Sequence, residues 1–148
     1  MTALLRASRL LLAASVLMSA AACDFGSTAP TAPDQSNVPY SQVDLTIGTG
    51  AEATPGTTAA VSYGAWLYSV SAADHKGTQI DSSQFSFVLG ANQVIPGFDQ
   101  GVTGMKEGGT RRLIVPPSLA YGSTGNQTVP PNAALVFDIA LATVTPPQ

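Results

Sequence analysis

The sequence predicts an α+β domain, a curled antiparallel sheet of about five strands wrapped around one short helix. Three observations carry this. From Val43 onward, apolar residues recur mostly at every second position. One stretch, opened by Pro96, switches to helical spacing. Charged residues are few, while glycine and proline are plentiful. At 148 residues the chain has room for one such domain and one modest core.

The chain before Val43 has a different character. Met1–Ala22 carries Arg6 and Arg9, an apolar run from Leu10 to Met18 and a small-residue end. That is the pattern of a secretory signal peptide, with an apolar run too short to span a bilayer. Cys23, the one cysteine, follows Ala20-Ala21-Ala22 directly. Here the sequence resembles a bacterial lipoprotein lipobox, although Ala20 stands where Leu is commonest. The resemblance implies cleavage before Cys23, with lipid on its sulfur and its new amine; plain A-x-A cleavage leaving a free thiol is the alternative. Dual acylation gives stable anchoring. The expected location is therefore outside the cytoplasm, in a bacterial cell envelope on the periplasmic side, lipid-anchored to a membrane. Residues 23–42 form the attachment cysteine and a flexible linker. Asp24–Gln42 is rich in Pro, Ala, Ser and Thr and reads as a tether, reaching at most roughly 60 Å if fully extended.

The domain is expected over residues 43–148. Val43, Leu45 and Ile47 alternate with polar residues, as in a half-buried strand. Gly50, Pro55 and Gly56 then punctuate a turn region. Val61, Tyr63, Ala65 and Leu67 share one face of the next strand, and Ser69–Lys76 forms a polar loop or bulge. Thr78–Asp81 is expected as a short strand, and Phe85, Phe87 and Leu89 mark another. Pro96 suits the first position of a helix, where a missing N–H costs nothing. Ile95, Phe98, Val102 and Met105 form its apolar stripe. With Gly97 and Gly101 inside it, packing must hold this helix. Gly104 and Gly108-Gly109 turn the chain into a strand bearing Leu113 and Val115. After a long loop, Ser118–Asn132, Leu135, Phe137, Ile139 and Leu141 make the clearest alternation of all.

Composition excludes several function classes. Without the two leader arginines, nine acids face four bases, and no basic stripe exists to hold nucleic acid. The pair Arg111-Arg112 reads as polar edges flanking a strand. One cysteine and one histidine, His75 in a polar turn, leave no material for the usual metal clusters or for Ser-His and Cys-His nucleophiles. No cofactor and no metal are expected. No long amphipathic helix precedes the domain, so a monomer is expected.

The stretches VSYGAWL, DSS, FSFVLG, QVIPGFDQGVTGMKEGG, AYG and PPNAALVFDIAL, in this order and spacing, resemble an FKBP-type peptidyl-prolyl cis-trans isomerase. The resemblance covers about Val43–Val144. It implies a half-barrel antiparallel sheet on a short helix, the fold read independently from periodicity. It also implies a proline-binding cup walled by Tyr63, Phe85 and Phe137, with Phe98 as its floor. Val94 and Ile95 would form the rim, Ile95 N–H bonding a substrate carbonyl, with Asp81 and Tyr121 as the polar, catalytic groups. Ile80 stands in the substrate-binding set where Phe is usual, Phe98 where Trp is common, Gln93 for a frequent Glu and Ala65 for a common Gly. The implied activity is rotation about Xaa-Pro bonds of exported or envelope polypeptides. The loss of an aromatic wall at Ile80 favours the alternative, a non-catalytic proline-segment chaperone using the same pocket.

Overall fold

The computed structural model describes residues 33–147. The expected leader, Cys23 and the first part of the tether lie outside them. Five strands, β1 (Ser41–Thr46), β2 (Thr58–Tyr68), β3 (Lys76–Val88), β4 (Thr110–Val115) and β5 (Leu135–Thr145), form one antiparallel sheet in the order β1-β4-β5-β2-β3. One helix, α1 (Pro96–Val102), lies on its inner face, and a short 3₁₀ turn spans Pro117–Leu119.

Alternation selects the core. Val61 and Ala65 of β2, Phe87 of β3, Leu113 and Val115 of β4, and Leu135, Phe137, Ile139 and Leu141 of β5 are all buried beneath Phe98 and Val102 of α1. The helix is short and begins at Ile95 without a side-chain cap, so tertiary contact holds it. Its glycines make that contact close. A Cβ on Gly97 would lie 2.3 Å from Val115 Cγ1, and one on Gly101 would lie 2.2 Å from Leu113 Cδ1. The residues that weaken the helix on its own are those that let it lie on β4.

Four expectations need correction. Val43, Leu45 and Ile47 are not half-buried but 55%, 50% and 76% exposed. In β1, Asp44 pairs with Arg111 and Gln42 with Leu113, so the polar set faces inward. Arg111 is the reason. It is 7% exposed rather than a strand-edge polar residue. Its guanidinium donates to the Asp44 carboxylate and, through Nη1, to the carbonyls of Gly101 (2.9 Å) and Thr103 (3.3 Å) at the end of α1. A single face of β1 can turn inward, and this ionic cap occupies it.

Second, Thr78–Asp81 and the stretch from Phe85 are not separate strands; they belong to one 13-residue strand, Lys76–Val88, that runs through Ser82-Ser83, with Leu89 just beyond its end. Third, α1 ends at Val102, though Met105 is still buried. Fourth, residues before Val43 take part in the fold. β1 starts at Ser41, and Tyr40 packs against the core. Gln35 makes three bonds to the fold: its N–H to Asn132 O, its Nε2 to Tyr68 O, and Ala134 N–H to its Oε1.

Candidate active site

The site is built where β2, β3 and β5 face the start of α1. Tyr63 of β2, Ile80, Asp81 and Phe85 of β3, Val94, Ile95, Phe98, Tyr121 and Phe137 all line one cavity of about 450 Å³. That volume falls within the roughly 300–1,000 Å³ typical of small-molecule pockets. Phe98 is 3% exposed and is the hub of the aromatic set. Its ring centroid lies 5.6 Å from Tyr63, 5.9 Å from Phe85, 5.8 Å from Phe87 and 5.4 Å from Phe137. Three of these contacts are edge-on, the favourable quadrupole arrangement, and they fix each ring's orientation.

Adjacent strand residues normally face opposite sides, yet Ile80 and Asp81 both line the cavity. A bulge explains this. Ala65 pairs with Asp81 while Trp66 pairs with Gln79, which leaves Ile80 as the extra residue. The Tyr63 hydroxyl donates to Asp81 Oδ2, and Ser82 N–H donates to Oδ1 at 2.7 Å. The carboxylate is thus held at both oxygens. Burial, and then the Asp81 carboxylate beside it, push the Tyr63 phenol up to about 12, so it remains a donor at neutral pH.

The rim is a loop pinned from both sides. Val88 N–H donates to Gln93 Oε1 at 2.9 Å, and Gly90 N–H donates to both oxygens of Asp99, at 3.1 and 3.0 Å. The Ile95 carbonyl accepts from Phe98 and Asp99 N–H as α1 begins. Among the described residues, no backbone carbonyl accepts from Ile95 N–H. Opposite the rim, Tyr121 is 39% exposed, at the start of a loop in which Asn126 Oδ1 accepts from Thr128 N–H and Val129 N–H.

Asn92, Thr128, Val129 and Leu135 also line the cavity, and none of them was expected there from the sequence. Leu135 had a signal, since it lies two residues before Phe137 on the same strand face. The other three sit in loops without periodicity. Ala65 and Gln93, noted only as departures, are lining residues too. His75 stays outside the cavity and stacks on Tyr68. The arrangement is an apolar aromatic cup with a fixed carboxylate at its lip and a free N–H at its rim.

Residues 50–142 match the FKBP-type peptidyl-prolyl cis-trans isomerase family. The chain belongs to that family. An FK506-binding protein of Neisseria meningitidis serogroup A is 40% identical over 107 residues, covering 68% of this chain and 92% of that one. Among solved structures, FkpA from Escherichia coli aligns with a TM-score of 0.63 at 33% identity, over 77% of this chain and 52% of FkpA. A peptidyl-prolyl cis-trans isomerase from Pseudomonas syringae aligns with a TM-score of 0.61 at 28% identity, over 77% of this chain and 83% of that one. This FKBP-type domain therefore has both the sequence and the fold of a prolyl isomerase.

Proposed function

We propose that the chain catalyses cis-trans rotation about Xaa-Pro bonds of exported or cell-envelope polypeptides, as a monomer held to a membrane through lipid on Cys23. One observation carries the catalytic part. Nine residues from six separate segments, singled out by sequence, surround a single aromatic cavity.

An Xaa-Pro bond prefers trans by only about 0.5–1 kcal/mol but crosses a barrier of roughly 18–20 kcal/mol, because the amide has partial double-bond character. That character places negative charge on oxygen and positive charge on nitrogen, which water solvates well. Inside the cup of Tyr63, Phe85, Phe98 and Phe137 this solvation is lost, and the planar amide suffers more than the twisted one. The Asp81 carboxylate at the lip acts in the same direction, opposing the negative oxygen of the planar form. Ile95 N–H and the Tyr121 hydroxyl hold the neighbouring groups, while Val94 and Ile80 complete the walls. No bond breaks, so the reaction needs neither nucleophile nor cofactor.

Exchange NMR on an Xaa-Pro peptide tests this reading. The wild-type domain is expected to speed exchange, Asp81→Ala to lose about tenfold, equivalent to about 1.4 kcal/mol of barrier, and Tyr121→Phe a few-fold. Peptide binding without any rate increase would leave only the proline-segment chaperone, the reading that Ile80 in the wall favours. For the anchor, Cys23→Ser is expected to move the protein from the membrane to the soluble fraction. Unchanged fractionation would refute lipidation as the tether.

A further inference from the structure

Strand β3 is the outer strand of the sheet on the side of the cavity, and among the described residues nothing pairs with its outer edge. β2 pairs with β3 in continuous register from Thr58↔Val88 to Ala65↔Asp81. Within that register the N–H groups of alternate residues point away from β2. Three bonds establish which ones. Leu89 N–H donates to Thr57 O, toward β2, whereas Ser82 and Val88 N–H donate to the side chains of Asp81 and Gln93. The outward set is therefore Ser82, Gln84, Ser86 and Val88. Its two end members are capped by those side chains, and the two between them, Gln84 and Ser86, face outward from exposed residues.

Natural sheet edges are ordinarily protected by lysine, proline, bulges or inward charges. From Ser82 to Val88 the sequence is SSQFSFV, with no charge and no proline, and the bulge at Ile80 lies before it. The other edge strand, β1, is shorter, carries a bulge after Asp44 and turns that carboxylate inward. The bare edge is also continuous with the cavity. Asp81 and Phe85 line the cavity from β3 itself, and the rim residue Gln93 caps the edge at its far end.

We propose that the polypeptide whose proline enters the cavity also pairs through its own backbone with the β3 edge at Gln84 and Ser86, adding a sixth strand. The inference rests on the proline-pocket reading above and extends it to the flanking chain. The residue before a proline is restricted to extended conformations, so the substrate arrives already shaped for pairing. Backbone pairing is blind to side chains, and the edge offers only Ser, Gln and Phe, so the favoured flanks are neutral and β-branched rather than charged.

The test uses the folded domain and three peptides, each with one Leu-Pro bond flanked by neutral β-branched residues. One is unmodified, one is N-methylated at alternate flanking positions, and one carries the methyls at the complementary positions. Pairing predicts that one methylated peptide binds at least tenfold more weakly than the other. It also predicts that the unmodified peptide slows hydrogen exchange of Gln84 and Ser86 amides at least tenfold. Equal binding of the two methylated peptides, or unchanged exchange at both amides, overturns the proposal. So does protection of those amides without peptide, which would mean that a second copy occupies the edge. A tetrapeptide too short to reach the edge separates the two readings. If its exchange is not accelerated, the pocket reading falls and the edge proposal with it. If its exchange is accelerated but binding of the long peptides ignores methyl position, the edge proposal alone falls.

Discussion

The two ends of α1 are held by opposite chemistries. At its start, Phe98 sits among Tyr63, Phe85, Phe87 and Phe137, an apolar cluster left partly unfilled as a cavity. At its end, Arg111 bonds two backbone carbonyls and the Asp44 carboxylate, and no cavity of comparable size remains. The same helix thus has an open aromatic end and a closed ionic end. A cup left open is not packed to full density, so rigidity has to come from elsewhere. Here it comes from the polar end and from the glycines that seat the helix on β4.

The largest break of this contrast is expected from Phe98→Ala. Deleting the hub ring is expected to cost about 3–5 kcal/mol in denaturant unfolding and to abolish isomerisation. Arg111→Met comes next. It leaves the carbonyls of Gly101 and Thr103 and the Asp44 carboxylate without their donor, and is expected to cost about 2–3 kcal/mol. Activity per folded molecule should stay within about twofold on the peptide assay, because the cavity is untouched. Equal losses of stability and activity in both variants would erase the distinction between the ends.

The smallest effect, on the order of 1 kcal/mol, comes from pH. The bonds from Arg111 hold Asp44 below the ordinary carboxylate range against a small burial penalty. Burial opposes ionisation of Asp138 more strongly, but the bonds from Arg112 and Lys76 prevail and lower it as well. Groups held low in the fold contribute stability that is complete above their unfolded value of 3.8 and is lost as pH falls from there through their lower folded values. Tyr63 has the opposite sign. Its phenol is raised to about 12, so its contribution is full below its unfolded value of 10.0 and is lost as pH climbs toward 12. Acid is therefore expected to loosen the ionic contacts and alkali the cup. Unfolding free energy measured across pH checks this. Tyr63→Phe should shrink the alkaline loss and leave the acid loss unchanged, the remainder belonging to Tyr40, whose phenol is also raised by burial.

Much of the fold was legible because its core strands alternate cleanly. Leu135 to Leu141 and Val61 to Ala65 face the core as their spacing requires. The cup aromatics were legible only through the ordered set of motifs, since each ring taken alone looks like ordinary core. β1 misled for a physical reason. Alternation reports two faces but not which one turns inward, and a buried arginine on the neighbouring strand decided it. The unbroken β3 was hidden by Ser82-Ser83, which favour turns locally but pair across β2 with Tyr63 and Gly64. The loop residues Asn92, Thr128 and Val129 had no periodic signal, because their positions are set by side-chain bonds to backbone such as those of Asn126.

The three bonds of Gln35 change where a tether would begin. If residues 24–42 were free, an anchored domain would swing on the whole of that segment. Fixing Gln35 removes eight residues from it, roughly 25 Å of extended reach. The fixed point adjoins Asn132, whose N–H bonds Gly122 O to close the loop that carries Thr128 and Val129. The chain therefore enters the fold at the root of the cavity's own wall. For an anchored molecule, that junction, more than the length of the leash, sets which way the mouth of the cup points relative to the membrane.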